Sequence, residues 1–196
     1  MSRESVIEDI NSRIGNTEVV NGILTFTLIN SSSEEVSDLR RILLTKIPTY
    51  TIDIAVFDDN DSCLEDTEIA HRLGLCVLNQ QFLPKNKKDP IEFDFKGPID
   101  VNIKDIIVAG TSVNIVTLRK NEKLNGVCYL REGTGDIHAK FSPIFKVAAI
   151  PSDNSEWNFL CGLTGAYDES TILDMAVELL ADEKISKQQS SQYRYK

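Results

Sequence analysis

The stretch Glu34–Ile47, "EEVSDLRRILLTKI", constrains the fold more than any other part of the chain. Val36, Leu39, Leu43 and Ile47 recur at the spacing of one helical stripe, and Ile42 and Leu44 widen it. Ser31-Ser32-Ser33 supplies a cap, and Glu34 and Glu35 favour the positive end of the helix dipole. Pro48 removes an amide donor and ends the helix. An apolar stripe this broad implies contact with more than one surface. A second helix of the same kind is written late, in "YDESTILDMAVELLADEKI" (167–185), with Asp168 as its N-cap. There Ile172, Met175, Ala176 and Leu179 form one stripe, and Leu173 and Leu180 form another beside it.

Strand patterns surround these helices. Residues 18–30, "EVVNGILTFTLIN", read as one strand in which Ile23, Thr25 and Thr27 alternate with Leu24, Phe26 and Leu28. "TYTIDIAVF" (49–57) reads as a second strand, and "DDNDSC" as a turn. "DTEIAHRLGL" (66–75) follows with Ile69, Ala70 and Leu73 on one helical face, His71 and Arg72 turned aside, and Gly74 as the expected stop. From Asn79 to Pro98 the chain is rich in Pro, Lys, Asn and Asp, which marks a boundary. Short strands are then expected at "IDVNI", "DIIVAG", "VNIVTL", "LNGVCYLRE" and "SPIFKVAAI", with "GTGDIHAKFSP" interrupting the last two. This is a small β-rich domain set into something else. "EWNFLCGLTG" is a further strand, and the polar "SKQQSSQYRYK" is expected to lack order.

Composition closes off several functions. At a net charge of −9, with Lys and Arg scattered, the chain has no basic face to grip phosphate backbones. Cys63, Cys76, Cys128 and Cys161 form none of the close pairs that hold structural zinc, and they sit in apolar runs without a secretory signal. Free buried thiols in a reducing compartment are expected. No apolar run approaches the roughly 20 residues of a membrane span. His71 and His138, the two histidines, stand in no nucleophile-elbow sequence. "GTGDIHAK" lacks the spacing by which successive amides cradle phosphate, and the acidic residues Asp58 to Asp66 lack the glycine of a calcium loop. These residues point to no catalytic, cofactor-binding or metal-ligating set.

Several segments taken in order resemble one family. Leu39-Arg40-Arg41, Ile47-Pro48-Thr49, Ile52-Asp53 and, above all, Ile69-Ala70-His71-Arg72-Leu73-Gly74-Leu75 are similar to the signature of the α-like subunits of multisubunit RNA polymerases. That family includes the third-largest subunit of eukaryotic polymerase II, its archaeal counterpart and the bacterial α amino-terminal domain. His138 to Ile144, "HAKFSPI", resembles its His-Ala-Lys-Trp-Ser-Pro element, preceded by Gly133 and Gly135. "WNFLCGLTGAYDESTILDMAVELL" resembles its closing strand, turn and helix. The likeness spans roughly residues 18–183 and is nearer the eukaryotic and archaeal branch.

The resemblance implies an α+β fold: a dimerisation domain of antiparallel sheet and two long helices (1–78 and 148–196, with 184–196 as a disordered tail), interrupted by a β-rich insertion domain (79–147). It implies a non-catalytic assembly subunit, intracellular in location: nuclear in a eukaryotic cell, cytoplasmic or in the virion if virus-encoded. The partner would be a smaller α-like subunit, comparable to the eleventh of polymerase II, met through Leu39, Ile42, Leu43, Ile172, Met175, Ala176 and Leu179. Arg40 and Arg41 would dock the second-largest subunit. The largest subunit would be a further partner and would hold the catalytic magnesium. His71, Arg72, His138 and Lys140 would be structural or interdomain residues. Little direct nucleic-acid contact and no membrane contact are implied.

This chain also departs from the family. Residues 79–127 contain no cysteine, so the zinc or iron–sulfur cluster of other members is not expected. Ser37-Asp38 replaces an asparagine, and Phe141 replaces the tryptophan. A bacterial-type DNA-binding domain is not expected to follow, and the short length suggests a reduced member. A free-standing interaction adaptor built on the same fold is the alternative.

Overall fold

The dipeptide Asn21-Gly22 turns the chain back on itself. Asn21 at φ 52° and Gly22 at φ 74° both occupy the left-handed region that two-residue hairpin turns require. The segment read as one strand over 18–30 is therefore a hairpin of β1 (Ile14–Val20) and β2 (Ile23–Ile29), with Val20 opposite Ile23. It is preceded by a helix that the sequence pattern does not announce, α1 (Arg3–Ser12), which buries only Val6 and Ile10. The structure is a computed structural model that describes residues 2–110, 112–152 and 155–193.

The chain is α+β, with antiparallel sheets, and divides into two compact units: Met1–Ile47 with Ser142–Lys196, and Pro48–Phe141. In the first unit, α2 (Ser33–Thr45) is capped by Ser32, whose hydroxyl accepts from the Glu35 amide at 3.2 Å. β8 (Ile144–Pro151), β9 (Glu156–Leu163) and α5 (Glu169–Tyr193) complete it. Asp168 caps α5 by accepting from the Thr171 amide at 2.8 Å. The sheet order is β1-β2-β9-β8, every neighbour antiparallel. Leu24, Phe26, Leu28, Phe159 and Cys161 from the sheet meet Leu39, Ile42 and Leu43 of α2 and Ile172, Ala176 and Leu180 of α5 in one core. Phe26 stacks on Phe159 with centroids 4.7 Å apart. Each fully buried Leu, Ile or Phe contributes about 1.5–3 kcal/mol, so this cluster holds the helices on the sheet. Residues 184–193, expected to be disordered, continue α5; residues 194–196 lie outside the described residues.

The second unit begins with β3 (Thr49–Asn60) and α3 (Asp66–Leu75), followed by β4 (Ile91–Lys96), β5 (Ile99–Asn102), α4 (Ile103–Ile106), β6 (Asn114–Leu118) and β7 (Lys123–Gly133). Its sheets are β3-β7-β4 and β5-β6. A 3₁₀ turn at Ala139–Phe141 ends it. Ile52, Ile69, Leu73, Phe93, Val101, Ile106, Leu124 and Cys128 lie in its core.

Several expectations differ from the structure. The units divide at 47/48 and 141/142, where the sequence suggested 78/79 and 147/148. The reason is pairing: β3 runs along β7 from Thr49–Gly133 to Asn60–Leu124, which commits it and α3 to the second unit. "DIIVAG" is not a strand; Ile103–Ile106 is helical because Asn102 and Asp105 form a reciprocal capping box. β4 lies inside the stretch read as a boundary, where "IEFDFK" alternates inward Phe93 with outward Glu92 and Asp94. Gly74 does not stop α3, which runs on to Leu75; a Cβ on it would stand 3.4 Å from the Ile52 carbonyl, so it serves close packing on β3.

Candidate functional site

The two motif segments, 66–75 and 138–141, meet within the second unit. Ile69 and Leu73, fully buried, anchor α3 and leave His71 and Arg72 exposed. Arg72 donates from Nη1 to the Ile115 carbonyl at 2.9 Å and from Nη2 to Glu68 at 2.7 Å. It thus ties α3 to β6. The resemblance implies a structural or interdomain role for Arg72; both of these bonds lie inside one unit.

The second motif is pinned by its aromatic ring. Phe141 is buried, and a Cβ on Gly133 would stand 2.7 Å from that ring, so only glycine leaves room for it. The Phe141 carbonyl accepts from the Thr49 hydroxyl at 2.6 Å. Lys140 then reaches inward, its Nζ 2.7 Å from Asp53 Oδ1 and 3.3 Å from the Ile52 carbonyl. Arg131 approaches the other oxygen of Asp53 at 3.4 Å. The Lys140 ammonium, with Arg131 beside it, holds the Asp53 carboxyl below the usual carboxylate range. His138 Nδ1 accepts from the Lys140 amide at 3.1 Å and shapes the turn.

Together these residues line a groove of about 480 Å³. His71, Leu75 and Gly74 form one wall, Ile137, His138 and Phe141 another, and Asp53, Arg131 and Lys140 contribute the charge. Leu75 and Ile137 are largely exposed at its rim. Among the described residues neither imidazole is hydrogen-bonded to a carboxylate, and no group of three or more His, Cys, Asp or Glu could hold a metal ion. The groove has the chemistry of a binding or bracing surface, with no nucleophile set against a base. Asp53, the group around which its charges gather, belongs to the segments that carry the family resemblance, yet the resemblance gave it no role. Its signal was its position, a carboxylate inside the strand pattern "TIDIAVF".

The helix positions expected to meet a partner lie in the first unit. Leu39, Ile42, Leu43, Ile172 and Ala176 are fully buried within that unit's own core, and Met175 and Leu179 are half-buried against it. The same stripe that suggested a second surface closes the chain's own α2–α5 contact. Arg41 is exposed but engaged, its fork on Glu183 at 2.8 and 3.1 Å and on Asp38 at 3.0 Å. Arg40 is exposed, with Nε 3.4 Å from the Val147 carbonyl. No helix among the described residues is long and apolar enough to cross a membrane.

An α+β chain of two compact units with antiparallel sheets is the class that the fold defines, and comparison with known proteins supplies the family. The chain is 30% identical over 147 residues to the DNA-directed RNA polymerase subunit Rpo3 of Methanocaldococcus jannaschii, covering 72% of this chain and 76% of that one. It is 31% identical over 123 residues to Rpo3 of Thermococcus kodakarensis (55% and 47%). It is 24% identical over 174 residues to the RNA polymerase II subunit RPB3 of Schizosaccharomyces pombe (69% and 57%). The chain therefore spans about three quarters of the first relative and about half of the other two. No family model matches it. The chain belongs to the Rpo3/RPB3 family, the α-like third subunits of DNA-directed RNA polymerase.

Proposed function

We propose that the chain is a non-catalytic assembly subunit of a DNA-directed RNA polymerase, pairing with a smaller α-like subunit and docking the two large subunits. The observation that carries this reading is the meeting of both family motifs in one groove built for bracing, in a chain of the Rpo3/RPB3 family. The pairing surface would be what α2 and α5 leave half-covered: Leu44, Leu173, Met175 and Leu179. Arg40, less engaged than Arg41, is the better placed of the two to reach a large subunit.

Affinity purification from the native source tests the reading. Recovery with the two large subunits and a small α-like chain is expected, and recovery without the large subunits rejects it. Arg40→Glu should weaken capture of a large subunit while sparing the small partner; equal loss of both means misfolding. The second unit is proposed to carry no metal, because residues 79–127 lack cysteine and the buried Cys161 belongs to the other unit's core. Stoichiometric zinc or iron by elemental analysis would refute that.

A further inference from the structure

The outer face of the sheet β3-β7-β4 is not one that water alone would favour. An antiparallel sheet with one face on a core usually turns polar side chains outward. Here the outward rungs begin with Ile54 opposite Tyr129 and Val56 opposite Val127. Ile54 is 55% exposed, Val56 48% and Tyr129 39%. The face then turns acidic. Glu92 stands beside Val127, Asp94 stands beside Asn125, and with Asp58 they line a shallow cleft of about 410 Å³. Among the described residues no cation pairs with Asp58, Glu92 or Asp94. Lys96 opposite Lys123 ends the sheet beyond them without reaching an ion-pair distance. Asn125 also lines the cleft, and its buried Oδ1 has no hydrogen-bond donor.

Uncompensated acceptors beside an uncovered apolar strip ask for a ligand that brings donors, positive charge and apolar surface together. We propose that this face docks a protein segment in which an arginine or lysine is flanked by apolar side chains. The cation enters the acidic cleft, and its neighbours cover Ile54, Val56 and Tyr129. Arginine fits best, because its fork can serve two of the cleft's carboxylates together. A second copy of the chain does not fit, since a two-fold pairing of this face sets acidic cleft on acidic cleft. A bare cation would leave the apolar strip uncovered, and these acids form no metal-holding group. The inference rests on the second unit's own geometry and goes beyond the polymerase reading.

The test uses the full chain and a fluorescein-labelled peptide, Val-Ile-Arg-Val-Arg-Val, beside a counterpart with glutamate for arginine, followed by fluorescence anisotropy. Saturable binding of the arginine peptide alone is expected. It should weaken about tenfold or more in the triple variant Asp58→Asn/Glu92→Gln/Asp94→Asn and in Val56→Thr, and stay unchanged in Asp61→Asn. Thermal melts of these surface variants should match the parent and separate lost binding from lost folding. Absence of saturable binding, equal binding by the triple variant, or equal binding of the glutamate peptide overturns the proposal. So does self-association in sedimentation that Val56→Thr abolishes, because the occupant would then be a second copy.

Discussion

At Lys140 a largely shielded ammonium group meets Asp53 at 2.7 Å and the Ile52 carbonyl at 3.3 Å, so its removal takes a donor from both and leaves Asp53 with the longer Arg131 contact alone. Lys140→Met keeps the stem over Phe141 and deletes the charge; it should cost about 1–3 kcal/mol in denaturant unfolding. The sign with pH follows from Asp53, whose carboxyl is held below its ordinary value chiefly by Lys140. A depressed folded value means that the pair's contribution is fully present above the unfolded value, near pH 4, and is lost as pH falls through the folded one. The gap between parent and variant should therefore narrow below about pH 4; a gap independent of pH would mean that the pair adds nothing. The cysteines give a second expectation at this scale. Burial pushes the Cys128 and Cys161 thiols up to about 12 and also raises Cys76, whereas Cys63 is exposed. Thiol titration of the native protein should show one fast group, and the other three should react only on unfolding.

Between elements, the ion pairs flanking α2 and α5 do what the apolar stripes cannot: they fix which faces meet. Arg13, at the foot of β1, grips Glu35 of α2 at 2.7 and 3.0 Å, and Lys184 of α5 reaches the same carboxylate at 2.5 Å. Burial would raise the Glu35 value, but the hydrogen bonds from Arg13 and Lys184 outweigh it and the net shift is downward. Glu35→Ala leaves the shielded Arg13 guanidinium with the exposed Asp9 as its remaining carboxylate, for about 1–3 kcal/mol of lost stability in the first unit. The loss should shrink as pH falls below about 4, where the parent's carboxylate is itself being protonated. Elements fixed by local chemistry were legible in the sequence: the Ser32 and Asp168 caps and the stop at Pro48 are each set by neighbours a few residues away. The hairpin at Asn21-Gly22 was legible too, through one of the strongest short turn signals, but a continuous strand pattern masked it. α1 was not, because a helix held by Val6 and Ile10 alone carries almost no periodic stripe. The groove was half legible. His71 and His138 stood out as residues, while their meeting depends on β3–β7 pairing across about 80 positions of sequence, which no local pattern encodes.

Whether a stripe faces a partner or the chain's own core is a property of the whole molecule. A wide apolar face on α2 is satisfied equally by a second protein or by α5, and burial of Leu39, Ile42 and Leu43 at 0–1% exposure shows that here the chain itself covers those positions. The insertion has a similar logic. Only two chain crossings, at 47/48 and 141/142, join the units. The ends of the second unit are held together by the Thr49 hydroxyl on the Phe141 carbonyl at 2.6 Å, with Thr49 opposite Gly133 in the β3–β7 ladder. Its core of Ile52, Ile69, Leu73, Phe93, Val101, Leu124 and Cys128 draws on residues 48–141 alone. A contiguous segment with its own core and closed ends meets the requirements of an independent domain. The fragment 48–141 should then unfold in a single cooperative transition with dispersed amide resonances. Within it, Phe141→Ala should remove about 3–5 kcal/mol by emptying the space beside Gly133. A fragment with collapsed amide dispersion and no transition would mean that the second unit gains its stability from the chain around it, and the two units would have to be treated as one folding system.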